Sequence, residues 1–170
     1  MLPLKRILCP TDFSEPSYTA LKAAIEFAQY FRAELNWLHV VAPVPVIATP
    51  AEAAGVGGPA VPSADLAGEM LRGAQTMLAE EAHDRIPSGV DFHLIVRRGD
   101  PAHEILAAAT DLEADAIIIA THGRTGWRRL LFGSVAETVF RGATCPVLTI
   151  RAPRDEAVDG DEPDHPIQRA

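Results

Sequence analysis

Apolar residues in this chain fall into two kinds of segment. Five short runs, Leu4 to Cys9, Leu35 to Val41, Phe92 to Val96, Ala116 to Ala120 and Val147 to Ile150, are rich in β-branched residues or leucine and almost continuous rather than alternating. Continuous apolar runs of this length suit strands buried on both faces. Between them apolar residues recur at helical spacing: Leu21, Ala24, Ile25 and Ala28 within Ser17 to Phe31; Leu71, Ala74, Met77 and Leu78 within Ala64 to Arg85; Ile105, Leu106 and Ala109 within Pro101 to Leu112. A fourth, shorter helix is expected from about Val135 to Arg141. Strands alternating with helices predict an α/β fold, a parallel sheet with right-handed crossovers and helices on both faces.

Two helix starts carry their own signals. Ser14-Glu15-Pro16 offers an N-cap with proline in the first turn, and Ser134-Val-Ala-Glu137 reads as a capping box in which Ser134 caps and Glu137 reaches back. Each follows a strand and a loop, so both N-termini face the edge where the strands end, which is where open α/β sheets bind ligands. Ala42 to Pro62 holds five prolines, three glycines and six alanines without periodicity and is expected to be a long loop within a domain spanning residues 1–151. The remainder, 152–170, carries six acids and two arginines, a net −4, and is expected to be a disordered acidic tail.

Length and composition narrow the classes. The 170 residues fit one domain with a substantial core, and 48% hydrophobic against 22% charged residues is a globular balance. No apolar stretch approaches the roughly 20 residues of a membrane span. The N-terminus runs into a strand without a signal-peptide core, so a cytoplasmic protein is expected. A net charge of −8 argues against a general nucleic-acid binder. Thr121 to Arg141 is nevertheless locally basic, with four arginines against one glutamate, and a basic patch in an acidic protein suits a small anion. Cys9 and Cys145 each adjoin a proline at the edge of an apolar run; packed thiols are expected, with a disulfide or reactive pair as the alternative.

Several site signatures are missing. There is no G-x-x-x-x-G-K-[ST] loop and no G-x-S-x-G, and Gly55-Val-Gly-Gly-Pro-Ala60 matches a dinucleotide pattern only formally, since Pro59 intrudes and no strand precedes it. The six histidines show no metal-ligand spacing, so neither a metal site nor a catalytic constellation is expected. Two loops remain. Cys9-Pro10-Thr11-Asp12-Phe13-Ser14 delivers a carboxylate and two hydroxyls to the end of the first strand, although Asp12 and Ser14 also suit simple helix capping. Ala120 to Ser134 brings glycines that allow close backbone approach and ends at a helix N-terminus whose dipole favours an anion, although an ordinary arginine-bearing loop has the same composition.

Ile-Leu-Cys-Pro-Thr-Asp-Phe-Ser, Leu-His-Val-Val, Arg-Gly-Asp-Pro-Ala-His-Glu-Ile, and Ala-Thr-His-Gly-Arg-Thr-Gly followed by Leu-Leu-Phe-Gly-Ser-Val-Ala-Glu and Cys-Pro-Val-Leu-Thr-Ile together resemble the universal stress protein (UspA) family over residues 2–151. The resemblance implies a Rossmann-like, adenine nucleotide alpha hydrolase-like sheet of five parallel strands in the order 3-2-1-4-5, with both loops at one crevice. It also implies ATP, with Mg²⁺ or Mn²⁺, through the pattern G-x-x-G-x9-G-[ST]. Here Gly123, nine residues and Gly133-Ser134 fit, but the first glycine is Ala120. A left-handed backbone there would make alanine cost about 1–2 kcal/mol, whereas an ordinary one makes the methyl harmless.

By the same resemblance, Pro10, Thr11, Asp12 and Val40 would line the adenosine part, Ile119 and Ala120 would run along the nucleotide, and Gly123, Gly133, Ser134 and Val135 would hold phosphates. It further implies a homodimer through Val147 to Ile150 and a nucleotide-dependent stress-response regulator, with no general base for fast hydrolysis. The alternatives are a nucleotide-free interaction module of the same fold, a slow ATPase or autophosphorylating protein, and a redox protein using Cys9.

Overall fold

A computed structural model describes residues 4–43, 64–121 and 133–151. Nine elements alternate along them: β1 (Arg6–Thr11), α1 (Glu15–Phe31), β2 (Glu34–Val41), α2 (Ala64–Arg85), β3 (Phe92–Arg98), α3 (Pro101–Asp111), β4 (Ala116–Ala120), α4 (Ser134–Gly142) and β5 (Val147–Ile150). All five strands are parallel, in the order β3-β2-β1-β4-β5. Strand parity explains the continuous apolar runs. Ile7, Cys9, Leu35, Trp37 and Ile118 pack toward α1 and α2, while Leu8, Leu38, Ile117 and Ile119 pack toward α3 and α4. Both sets are buried, so the central strands are largely apolar on both faces, with Asn36 and Thr11 as buried polar exceptions. The edge strands depart from that expectation: β3 and β5 are half-exposed, and Phe92, Leu94 and Leu148 reach solvent.

The order places a switch between β1 and β4. The chain leaving β1 turns into α1 on one face, and the chain leaving β4 leads to α4 on the other. The two helices lie on opposite faces, and a crevice opens between the strand ends.

Local signals stop and start the helices. Ser14 caps α1, its Oγ accepting from the Ser17 amide, with Pro16 in the first turn. At the other end Arg32 turns left-handed at φ 55° and its amide closes onto the Ala28 carbonyl. Asp100 caps α3, accepting from the His103 amide at 2.9 Å.

The two cysteines are free and lie against opposite faces of the sheet, so the disulfide alternative does not hold. Burial pushes the Cys9 thiol up to about 12, which leaves almost no thiolate for redox chemistry at neutral pH.

At the opposite end of the sheet, Asp115 binds the start of β1 to the start of β4. Its Oδ2 accepts from the amides of Lys5 at 2.7 Å and Arg6 at 2.9 Å, and these bonds hold its carboxyl below the usual 3.8. A carboxyl depressed in the folded state stabilises above its unfolded pKa and loses that contribution as pH falls through the folded value. Acid unfolding followed by circular dichroism should therefore show stability declining below about pH 4, and Asp115→Asn should flatten that part of the curve.

Candidate functional site

A cavity of about 330 Å³ occupies the crevice at the carboxyl ends of β1, β2 and β4. β1 and its loop contribute Pro10, Thr11 and Asp12; β2 contributes Leu38, His39 and Val40; β4 contributes Ile119 and Ala120, followed by Thr121. Helix starts close the remaining sides: Ser17 of α1, Pro101 and Ile105 of α3, and Gly133 to Ala136 at α4. Nine of the ten residues singled out from sequence thus share one cavity, while Gly123 lies outside the described residues, as do Arg124, Arg128 and Arg129.

The β1–α1 loop is held by its own side chains. Asp12 Oδ1 accepts from the Ser14 amide and hydroxyl, so Asp12 braces the residue that caps α1. Phe13 sits at φ 61°, a strained value for a bulky residue, with its amide donating to Thr11 Oγ1 at 3.0 Å. The Phe13 ring stacks on His39 at 4.4 Å between centroids. His39 Nδ1 lies 2.9 Å from the Thr11 carbonyl; a carbonyl only accepts, so Nδ1 carries the hydrogen.

The α4 end differs from the capping box expected from sequence. Gly133, not Ser134, is the N-cap, no side chain caps the helix, and the Glu137 carboxylate pairs with Arg141 at 3.0 Å instead of reaching back. The Gly133 amide is also taken, donating to the Thr121 carbonyl at 2.7 Å, and the first intrahelical bond runs from the Glu137 amide to the Gly133 carbonyl. This leaves the amides of Ser134, Val135 and Ala136 without intrahelical partners, at the positive end of the helix dipole and beside the cavity. Ala136 had no sequence signal of its own; it is the last residue of the first turn whose amide precedes the first intrahelical bond.

Glycine at 133 answers no demand of the backbone. Its φ of −70° and ψ of 154° suit any residue, and among the described residues an added Cβ would meet only the Thr121 carbonyl, at an ordinary 3.5 Å. The open space it leaves belongs to the cavity. Ala120 is equally unstrained: it closes β4, pairs with Ile150, and is absent from the left-handed positions of Phe13, Arg32 and Glu113. The backbone penalty that would count against alanine therefore does not arise.

The model of the universal stress protein family matches residues 3–151. This chain belongs to that family. Among its relatives, the universal stress protein MJ0531 of Methanocaldococcus jannaschii is 38% identical over 153 residues, covering 89% of this chain and 85% of its own. The structure of the universal stress protein UspA from Lactobacillus plantarum matches with a TM-score of 0.68 at 26% identity, covering 89% of this chain and all of that one. A universal stress protein solved in complex with cAMP shares the fold with a TM-score of 0.56 at 20% identity, covering 88% and 98%. As a family member the chain has no helix, among the described residues, long and apolar enough to cross a membrane.

The sequence motifs missed Ser17, His39, Thr121, Pro101, Ile105 and Leu38. Leu38 shares the strand parity of Val40, which was the available clue to it, whereas His39 in the quoted Leu-His-Val-Val lies on the opposite face, against Phe13. Pro101 and Ile105 belong to an element that reaches the site only through the α3 crossover, which no local pattern reports.

Proposed function

We propose that this universal stress protein binds ATP, with Mg²⁺ or Mn²⁺ bridging phosphate oxygens, at the β1/β4 crevice, and acts as a nucleotide-dependent stress-response regulator in the cytoplasm. The observation that carries the reading is the uncapped start of α4: three amides without intrahelical partners face a cavity that a glycine side chain leaves open. Phosphates fit there because they accept several N–H bonds at once and are favoured by the helix dipole. Gly133 acts by leaving space, while Ser134 and Val135 act through their amides. Pro10, Thr11, Asp12 and Val40 form the wall that receives the nucleoside, with Ile119 and Ala120 along its length. Gly123 belongs to the same motif. A universal stress protein of the same fold holds the adenine nucleotide cAMP, in keeping with this reading.

Dimerisation through the edge of β5 accompanies the proposal. That strand is half-exposed and pairs only with β4 among the described residues, so its outer edge is open to a second copy. The titratable groups described in the cavity wall are engaged by the protein, Asp12 by the Ser14 amide and hydroxyl and His39 by the Thr11 carbonyl, and regulation by occupancy suits the site better than rapid hydrolysis.

Titration calorimetry with ATP and Mg²⁺ tests the central claim. A saturable, one-to-one isotherm in the micromolar range is expected. No heat of binding at millimolar nucleotide would favour the nucleotide-free interaction module instead.

A further inference from the structure

The acidic part of the chain is rooted at the mouth of the cavity. Because the sheet is parallel, β5 ends at the same edge as β1 and β4, and its last residue, Ile150, pairs with Ala120 in the cavity wall. The Ile150 carbonyl accepts from the Thr121 amide at 3.0 Å, and the Thr121 carbonyl accepts from the Gly133 amide at 2.7 Å. Two backbone bonds through one residue therefore separate the end of β5 from the N-cap of α4. Exposed Arg151 follows, and the sequence then turns acidic with Asp155, Glu156, Asp159, Asp161, Glu162 and Asp164. A flexible chain spans about 5–6 Å times the square root of its length, so all six carboxylates can fold back over the short distance to α4.

Among the described residues, the start of α4 has no anion of its own. No side chain caps it, and Glu137, the acid of its first turn, is paired with Arg141. Asp12, in the same cavity, is bonded to Ser14. A carboxylate suits three amides at a helix N-terminus for the same reasons as a phosphate: it accepts N–H bonds and is favoured by the dipole. Charge points the same way. The stretch from Thr121 to Gly133, whose two ends meet at this mouth, carries Arg124, Arg128 and Arg129 and no acid, whereas 152–170 carries six acids against two arginines.

We propose that the acidic segment 152–170 is a tethered competitor: its carboxylates occupy the start of α4 when no ligand is bound, and a phosphate chain must displace them. This rests on the nucleotide-binding reading above and adds its regulation. A short tether holds the carboxylates at an effective concentration on the order of millimolar, so even a weak contact competes. Nucleotide affinity is then set by the charge of a segment outside the pocket, and neutralising that segment frees the site.

The test compares the full chain with a full-length variant carrying Asp155→Asn, Glu156→Gln, Asp159→Asn, Asp161→Asn, Glu162→Gln and Asp164→Asn, each titrated with ATP and Mg²⁺ by calorimetry. All six positions lie beyond the last strand and beyond the residues 3–151 matched by the family. At about 20 mM salt the variant is expected to bind ATP about three- to tenfold more tightly, the range that a weak contact at millimolar effective concentration gives. At about 500 mM salt, where the screening length falls to about 4 Å, the two affinities should converge. Equal affinities at low salt overturn the proposal, as does an advantage that persists at high salt, since charge would not be its cause. A synthetic peptide of residues 152–170, added to the variant, should weaken ATP binding. No effect up to about 10 mM peptide would mean repulsion without contact and would also overturn it. Amide NMR without nucleotide gives an independent reading: the Ser134, Val135 and Ala136 resonances should differ between parent and variant, and identical resonances overturn the proposal. If they differ while neither chain binds ATP, the contact stands and the nucleotide reading falls.

Discussion

Gly133→Asp is expected to raise thermal stability and weaken ATP binding about 100-fold, two effects of opposite sign from one substitution. Gly133 is the N-cap of α4, in the extended backbone that capping residues adopt, and an added Cβ meets no close neighbour. Aspartate caps better than glycine and places negative charge at the positive end of the helix dipole, a gain of about 0.5–1 kcal/mol that should lift the melting temperature by ~1–4 °C. The same carboxylate would accept from the amides offered to the phosphate chain and repel what remains. Two charge-assisted bonds lost at about 1.5 kcal/mol each correspond to roughly a 100-fold weaker complex. Thermal unfolding and ATP titration of one protein sample read both effects. A stabilised variant that still binds ATP normally would show that the phosphates lie elsewhere. A merely damaged fold would lower both readings, which is why the opposed signs are informative.

The largest effect on stability is expected at Trp37. It heads the largest fully buried side chains, at 0% exposure, in the core formed by β1, β2, α1 and α2. Trp37→Ala should cost about 3–5 kcal/mol, because packed neighbours collapse only partly into the space left behind. Trp37→Phe should cost far less, under about 1.5 kcal/mol, for a reason specific to this site. The indole Nε1 hydrogen has no partner among the described residues, and an unsatisfied buried donor is itself destabilising by about 1–3 kcal/mol. Phenylalanine removes that penalty along with some packing. Urea unfolding of the two variants would measure the difference. Equal losses in both would mean that the indole hydrogen is satisfied in solution, for instance by a buried water.

Much of the fold is legible in single segments. Continuous apolar runs identified all five strands, with ends differing by one to two residues at β1, β2 and β3, because a run of apolar letters does not say where ladder pairing stops. Ser14 was readable as a cap because its neighbours Glu15 and Pro16 carry first-turn signals as well. Ser134 was misread for an instructive reason. Ser-Val-Ala-Glu satisfies the capping-box spacing, but the phase of a helix start depends on which amide is already engaged, and here the Thr121 carbonyl takes the Gly133 amide. That bond joins the end of β4 to the start of α4 and leaves no mark in either segment alone.

The sequence by itself determined the class of fold, the family, and nine residues that line the crevice, since periodicity, turn chemistry and short motifs are local properties of the chain. Only the tertiary structure decided how the cavity is built. Ser17, Pro101 and Ile105 join it through sheet order and crossover, and contacts between elements distant in sequence obey no local period. Tertiary structure also resolved Ala120. Its place at the end of β4, paired with Ile150, fixes an extended backbone in which a methyl group costs nothing.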